Sequence, residues 1–367
     1  MTSPAHHRLD RVALEVVSSG AAPGAAVAAA RRTDGAWQLS GGVSGTAAEM
    51  NGEPIFDLAS VTKSFVAVTA ASLAARGDLR LDAPLGALLP ELAATPSGET
   101  SLLLLLAHRA GLAAHRTLFA PLLAGRPFAR DRALVEAAAA RRPDAVGAAP
   151  PGGFEPLYSD LGYVLTGAAL ERVSGLPLDA LVEREVAAPL GLDVHSARKW
   201  FAQAPDFLAR VLPTETMPFR GGVIRGAVHD ENAWALAGHA LAGQAGLFGT
   251  AEAVVRFGVA LLDARAGRGT WLGPEALAPL LAVRPGGSLR AGFDGKSGGT
   301  SAAGARASTE TFGHLGFTGT SLWCDPTHER VAVLLANRVC PTRENLRIRA
   351  IRPAVHDALF GWDGGLV

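Results

Sequence analysis

The segment Ser60–Arg76, SVTKSFVAVTAASLAAR, constrains this 367-residue chain more than any other. It reads as a helix, opened by Ser60 and closed before Gly77. It is apolar on nearly every face, and a helix without a polar face has to be buried all round. The chain must therefore surround it on several sides, which demands a large core. Its length allows that, and suits two structural regions better than one. With 49% hydrophobic and 19% charged residues, the chain is globular and not disordered.

The flanking patterns say what surrounds the helix. Arg11–Ser19 reads as a helix. Ala25–Arg32 and Trp37–Val43 read as strands about the turn Thr33-Asp34-Gly35, and Ile55–Leu58 is a short apolar approach to Ser60. From Leu81 to about Gly243 alternating runs are scarce and helical patches recur, as at Ala133–Ala140 and Tyr163–Val173. Ala251–Ala264 is helical, Phe317–Cys324 and Val331–Asn337 are strand-like, and Arg349–Phe360 closes the chain as a helix. Strands at both ends with helices between them imply one mixed sheet built from both ends of an α+β protein. The expected division is a sheet region of residues 1–80 and 245–367 and an inserted, mostly helical region of residues 81–244.

Charge and composition exclude several classes. The 34 basic and 34 acidic residues cancel, so no nucleic-acid partner is expected. The longest leucine run, Leu102–Leu106, is far too short to span a bilayer. The N-terminal MTSPAHHRLD has no apolar signal core, and the expected location is cytoplasmic. Cys324 should lie opposite Arg330–Val331 in a hairpin and not opposite Cys340, so no disulfide is expected. There is no phosphate-binding loop and no G-x-S-x-G elbow. His229, Asp230 and His239 lack the spacing of a metal motif. Neither a cofactor nor a metal is expected.

Only Lys63, Lys199 and Lys296 are lysines in a chain that otherwise uses arginine for positive charge. A lysine kept inside an apolar helix invites a chemical explanation, because lysine can lose its proton and arginine cannot. Ser60 and Lys63 stand three residues apart, on one helical face. Ser60 sits where unpaired backbone N–H groups and the helix dipole favour negative charge. Burial should lower the Lys63 pKa, leaving a neutral amine to activate the hydroxyl. The ordinary explanations are a helix cap for Ser60 and a snorkelling side chain for Lys63. A second copy, Ser196-Ala197-Arg198-Lys199, lies in a polar stretch and reads as coincidence.

Two further segments join the first. The chain has two tyrosines, Tyr158 and Tyr163, against fourteen phenylalanines, so Tyr158 in Tyr158-Ser159-Asp160 suggests a phenol kept for proton transfer. In His314-Leu315-Gly316-Phe317-Thr318-Gly319-Thr320, glycine at the mouth of a strand allows a ligand close to the backbone. His314 would add polarity or positive charge. His108 and His115 read as packing or capping residues, Asp57 and Asp82 as turn or cap residues.

Together these segments resemble the serine β-lactamase and penicillin-binding-protein superfamily. Ser60-Val61-Thr62-Lys63, Tyr158-Ser159-Asp160 and His314-Leu315-Gly316 follow the order of its three motifs. The second motif is nearer to class C β-lactamases and their related esterases and D-alanyl peptidases. Leu79–Pro84, Leu105–Leu112, Val228–Ala233 and Gly313–Pro326 also look like family segments, and the likeness runs from about Pro23 to Phe360.

The resemblance implies a β-lactamase/transpeptidase-like fold, an antiparallel sheet flanked by helices with a helical insertion. It implies acylation of Ser60, proton movement by Lys63 and Tyr158, and an oxyanion hole from the N–H groups of Ser60 and Phe317. His314, Gly316 and Asp160 would complete substrate binding. Two departures stand out. Asp160 replaces an asparagine, and an ionised carboxylate cannot donate to a substrate carbonyl. His314 replaces a lysine, which makes a fixed charge pH-dependent. Among small-molecule ester, amide or lactam substrates, both weaken the case for lactams, and both are compatible with esters that lack a carboxylate. The expected function is a serine hydrolase: carboxylesterase first, D-alanyl peptidase or amidase second, β-lactamase third. The other reading is a ligand-binding or sensing protein on the same scaffold without turnover.

Overall fold

The computed structural model describes residues 4–364. Strands β1 (Gly24–Thr33), β2 (Ala36–Gly45), β3 (Asp294–Gly295), β4 (Phe312–Leu315), β5 (Ser321–Asp325) and β6 (Arg330–Ala336) form one sheet. Their order is β2-β1-β6-β5-β4-β3. The sheet is built from both ends of the chain, but it is antiparallel throughout and not mixed. Hairpins join β1 to β2, β4 to β5 and β5 to β6, and none of these links needs the crossover that a parallel pair requires. The chain ends meet where Val27 stands opposite Leu334.

Period-two alternation then sorts the side chains into two cores. Ala26, Ala28, Val331, Val333 and Leu322 face one side, with the buried face of α4 (Ala251–Arg265). Ala25, Val27, Ala332, Leu334 and Trp323 face the other, under α1 (Pro4–Ser18) and α5 (Ile348–Phe360). A sheet covered on both faces explains strands that read as unbroken apolar runs.

The apolar helix is α2 (Thr62–Ala75), buried without interruption from Thr62 to Leu73. Phe65 stacks on Phe257 of α4 with ring centroids 3.9 Å apart. On its other side α2 meets α3 (Asp160–Ser174). Between residues 81 and 243, α3 and several shorter helices alternate with loops, with three short strands among them. One of these, Val194–Ser196, joins Phe56–Asp57 and Leu247–Gly249 in a small sheet just before Ser60.

Several boundaries differ from the sequence reading. The helix expected from Tyr163 begins at Asp160. The strand expected over Phe317–Cys324 is a turn followed by β5, because Gly316 N–H bonds to Thr320 O at 2.7 Å and Gly319 takes φ +115°. Cys324 lies opposite Val331, and both cysteines are free thiols. Among the described residues no helix is long and apolar enough to cross a membrane.

Candidate active site

Ser60 does not open α2 as a cap. It lies on a 3₁₀ turn, Ala59–Val61, whose residues make no side-chain cap bond, and the α-helix begins at Thr62. Ala59 immediately before it has φ +48°, a left-handed conformation that costs a non-glycine residue of order 1–3 kcal/mol. The surroundings hold it there. Ala59 N–H donates to Asp57 Oδ1 at 2.8 Å, and His229 N–H donates to Asp57 Oδ2 at 2.7 Å. Thr318 and Thr320 hydroxyls donate to Asp57 O and Leu58 O at 2.8 and 2.9 Å. Asp57 is thus the turn residue expected, and it fixes the approach to Ser60.

This clamp also explains Gly316. A Cβ there would stand 1.9 Å from Thr320 Oγ1 and 2.7 Å from Leu58 O. The glycine lets the turn after β4 close on the Ser60 approach, and it also lines the cavity beside Ser60.

Lys63 is completely buried. Its Nζ donates to Ser60 Oγ at 2.9 Å and to Gln244 O at 3.2 Å. It also stands 2.7 Å from Asp160 Oδ1. The expectation of a depressed Lys63 pKa is overturned by this contact. Burial alone does push it down, but the Asp160 carboxylate, and Tyr158 beside it, outweigh that, and the net direction is up.

Tyr158 comes from the loop that leads into α3, and its hydroxyl bonds with both Lys63 and Ser60. Burial raises the phenol pKa, with the Lys63 charge acting against it. The ring packs on His108 at 4.7 Å and stands 5.9 Å from His314. His108 does more than pack: its Nδ1 accepts Ser159 N–H at 3.0 Å and so fixes the backbone beside Tyr158.

His314 faces the same space from β4. It is buried, and burial beside the Lys63 charge pushes its pKa down to about 3. It is therefore neutral, and Nδ1–H donates to Leu315 O at 2.8 Å. The positive charge considered for it from sequence is absent, since burial and the Lys63 charge outweigh the opposing pull of Asp160.

Phe317 closes the site. Its ring is 46% exposed, stacked on His229 at 5.6 Å and on the Arg338 guanidinium at 4.5 Å. Arg338 Nε donates to Phe317 O at 2.7 Å, while the Phe317 N–H has no acceptor among the described residues. A cavity of about 420 Å³ opens on Ser60, Tyr158, Asp160, His314 and Phe317. Ser60, Lys63, Tyr158, Asp160, His314, Gly316 and Phe317 thus stand together, from three separate stretches of chain.

Other residues here lie outside the site residues expected from the sequence. Gln244 contributes its carbonyl to Lys63, and its amide donates to Asp230 Oδ1 at 3.2 Å. His115 lines the cavity, with Nδ1 4.0 Å from Asp160 Oδ2. His229 pairs with Glu215 at 2.9 Å. No pattern marks a backbone carbonyl such as that of Gln244. Asp230 and His229 fell within a family-like segment but carried no role.

The family model described as Beta-lactamase matches residues 9–356. A putative D-alanyl-D-alanine carboxypeptidase of Salmonella paratyphi B is 30% identical over 233 residues, 57% of this chain and 52% of that protein. The chain spans about half the length of the curated relatives it matches. Among solved structures, EstCE1, a hydrolase with promiscuous acyltransferase activity, has a TM-score of 0.70 at 23% identity, covering 97% of this chain and 98% of its own. A family VIII carboxylesterase has a TM-score of 0.69 at 19% identity, covering 98% of each chain. A penicillin-binding-protein homolog from Caulobacter crescentus has 0.67 at 20% identity, covering 98% of each. At these identities the solved structures share the fold with this chain.

Proposed function

The chain belongs to the Beta-lactamase family, and from that premise we propose that it is a serine hydrolase working through an acyl-enzyme, with carboxylic esters as its first substrate class. The observation that carries this is the Ser60 hydroxyl on a cavity wall, 2.9 Å from Lys63 Nζ and bonded to Tyr158. A serine with a proton-carrying neighbour on each side has the arrangement that nucleophilic catalysis requires. Ser60 Oγ attacks the carbonyl carbon while Tyr158 and Lys63 pass its proton to the leaving alkoxide. The N–H groups of Ser60 and Phe317 receive the oxyanion. Water then releases the acid.

Esters come first for a reason of polarity. Asp160 presents a carboxylate and His314 a neutral ring, and neither suits a substrate anion or a side-chain carbonyl. The printed names of an esterase and a carboxylesterase among the fold neighbours agree with this ranking. Amides, as in D-alanyl peptides, come second, and β-lactams third. The same proposal places the cavity between a sheet region of residues 1–80 and 245–367 and a helical region of residues 81–244. It puts the protein in the cytoplasm, where its two free thiols are at home.

One observation favours a second reading, a ligand-binding protein that acylates without turnover. The Lys63–Asp160 pair leaves the lysine without a free lone pair at rest. The deciding experiment is intact-mass analysis after a fluorophosphonate probe, followed by a panel of nitrophenyl esters, D-alanyl peptides and β-lactams. A single adduct and steady-state release of nitrophenol are expected. An adduct with every substrate that never clears would establish the binding reading, and no adduct on the folded protein would count against the hydrolase reading and favour binding without reaction.

A further inference from the structure

We propose that Asp160 is a positioning residue that locks Lys63 in its ammonium form and so sets an alkaline working range for Ser60. The inference rests on the serine-hydrolase reading for its meaning, and its test separates the two.

An ammonium group has three protons to donate. Asp160 Oδ1 at 2.7 Å, Ser60 Oγ at 2.9 Å and Gln244 O at 3.2 Å take them from Lys63, with the Tyr158 hydroxyl as a further neighbour. All three protons are directed, and no lone pair is left to take the one on Ser60. The side chain is fully buried.

The other groups around Lys63 do not replace Asp160. The Tyr158 and Tyr163 ring centroids lie 5.0 and 5.5 Å from Nζ, and burial keeps both phenols protonated. His108 and His314, from the segments on either side, are buried and uncharged. Asp230, ahead of the helix Glu231–Ala237, interacts with Lys63 by charge but makes no hydrogen bond to it, its side chain bonding to Gln244 instead, and burial raises its own pKa. Asp160 is the one carboxylate in contact with the amine. Its position is fixed as the first residue of α3, where Asp160 N–H donates to Ala114 O at 3.1 Å.

The proton count follows. At rest the site holds Lys63 as ammonium, Asp160 as carboxylate and Tyr158 as phenol. Reaction starts from a form with one proton fewer, in which Lys63 is an amine. Ser60 Oγ then bonds to the substrate carbonyl carbon and its proton passes to Lys63. When the ester C–O bond breaks, that proton passes by way of Tyr158 to the departing alkoxide. Lys63 returns to the amine, and all atoms are accounted for. The reactive fraction therefore grows about tenfold with each pH unit below the Lys63 pKa, which lies above the ordinary value of 10.5.

Asp160→Asn keeps an acceptor for Lys63 and removes the charge. An opposite charge at this range shifts a pKa by about 1–3 units. With it gone, burial governs, and Lys63 should titrate lower by that amount. Reaction of Ser60 at neutral pH should then increase by about tenfold or more, the reverse of what loss of a merely structural residue would do.

The chain has only three lysines, at 63, 199 and 296. Labelling lysine side chains with ¹³C thus gives three signals, with Lys63→Arg assigning the one of interest. In the wild type Lys63 should remain charged to pH 10.5, and in Asp160→Asn it should titrate at least about one unit below the wild type. Identical titrations would overturn the proposal. In parallel, the rate of fluorophosphonate labelling is followed against pH in both proteins. An alkaline limb that moves with the lysine titration supports the assigned role. A rate that falls at every pH without moving would overturn it. Absence of labelling in both proteins would fail the hydrolase reading, while the lysine titration still reports on Asp160. If Asp160→Asn does not fold, Asp160→Ser serves for the same two measurements.

Discussion

The chain contains the tetrad Ser-x-x-Lys twice, and the two copies are opposites. In Ser60–Lys63 the hydroxyl lies on a cavity and the amine is fully buried. In Ser196–Lys199 the hydroxyl is buried and the amine is exposed. Ser196 is a helix cap: its Oγ accepts Lys199 N–H at 3.3 Å and donates to Asp179 Oδ2 at 2.8 Å. Ser60 caps nothing, and its oxygen accepts from the Lys63 amine instead. Spacing alone puts each pair on one helical face. Which member is buried decides whether the pair can do chemistry. Ser60 precedes a helix wrapped on all sides, and Ser196 precedes a short helix at the surface.

The largest effect should separate the two serines. Ser60→Ala is expected to abolish fluorophosphonate labelling, and Ser196→Ala to leave its rate unchanged. An adduct surviving on Ser60→Ala would transfer the nucleophile elsewhere and break the comparison. Next come the lysines. Lys63→Arg keeps a charge but cannot give up its proton, so labelling and ester turnover should fall by about 10²–10⁴-fold, the scale of a lost general base. Lys199→Arg should change neither rate. Turnover by Lys63→Arg at the wild-type rate would refute the proton-transfer role. Tyr158→Phe removes only the hydroxyl and keeps the ring on His108, 4.7 Å away. A fall of about 10²-fold or more in labelling, with an unchanged melting temperature, is expected if the phenol carries protons.

Much of this contrast is legible in the sequence. The all-apolar body of α2 says that Lys63 is buried, and the polar stretch around Lys199 says that it is not. The scarcity of lysine and tyrosine points to Lys63 and Tyr158 before any fold is known. What the sequence does not carry is which charge meets which. Asp160 lies 97 residues beyond Lys63, and their ion pair depends on how α3 is laid against α2. For that reason the Lys63 pKa was read in the wrong direction: burial is visible in a pattern, and a partner from another element is not. His314 failed in the reverse sense, since its position gave no sign of the burial that keeps it neutral. The Gln244 carbonyl has no signature, because any residue would supply it. At the level of fold, the terminal strands and their shared sheet are readable from the apolar runs at the two ends of the chain. Their antiparallel sense comes only with the family resemblance, because the direction of β1 against β6 is set by packing across the whole chain.

The smallest effect should reverse the ranking of the serines. Ser196→Ala removes a cap and a hydrogen bond to Asp179, which Arg198 also holds. Loss of a serine cap costs about 0.5–2 kcal/mol, read as a lower urea midpoint at constant slope. Ser60→Ala removes no cap and leaves Lys63 its contact with Asp160, so its midpoint should move by no more than about 0.5 kcal/mol equivalent. Lys199→Ala, at an exposed side chain, belongs in the same small range. The serine that matters for stability should be inert, and the serine that reacts should be dispensable to the fold. Urea midpoints showing Ser60→Ala as the more destabilised of the two would mean that Ser60 is held for structure, and the division between the two tetrads would fail at its base.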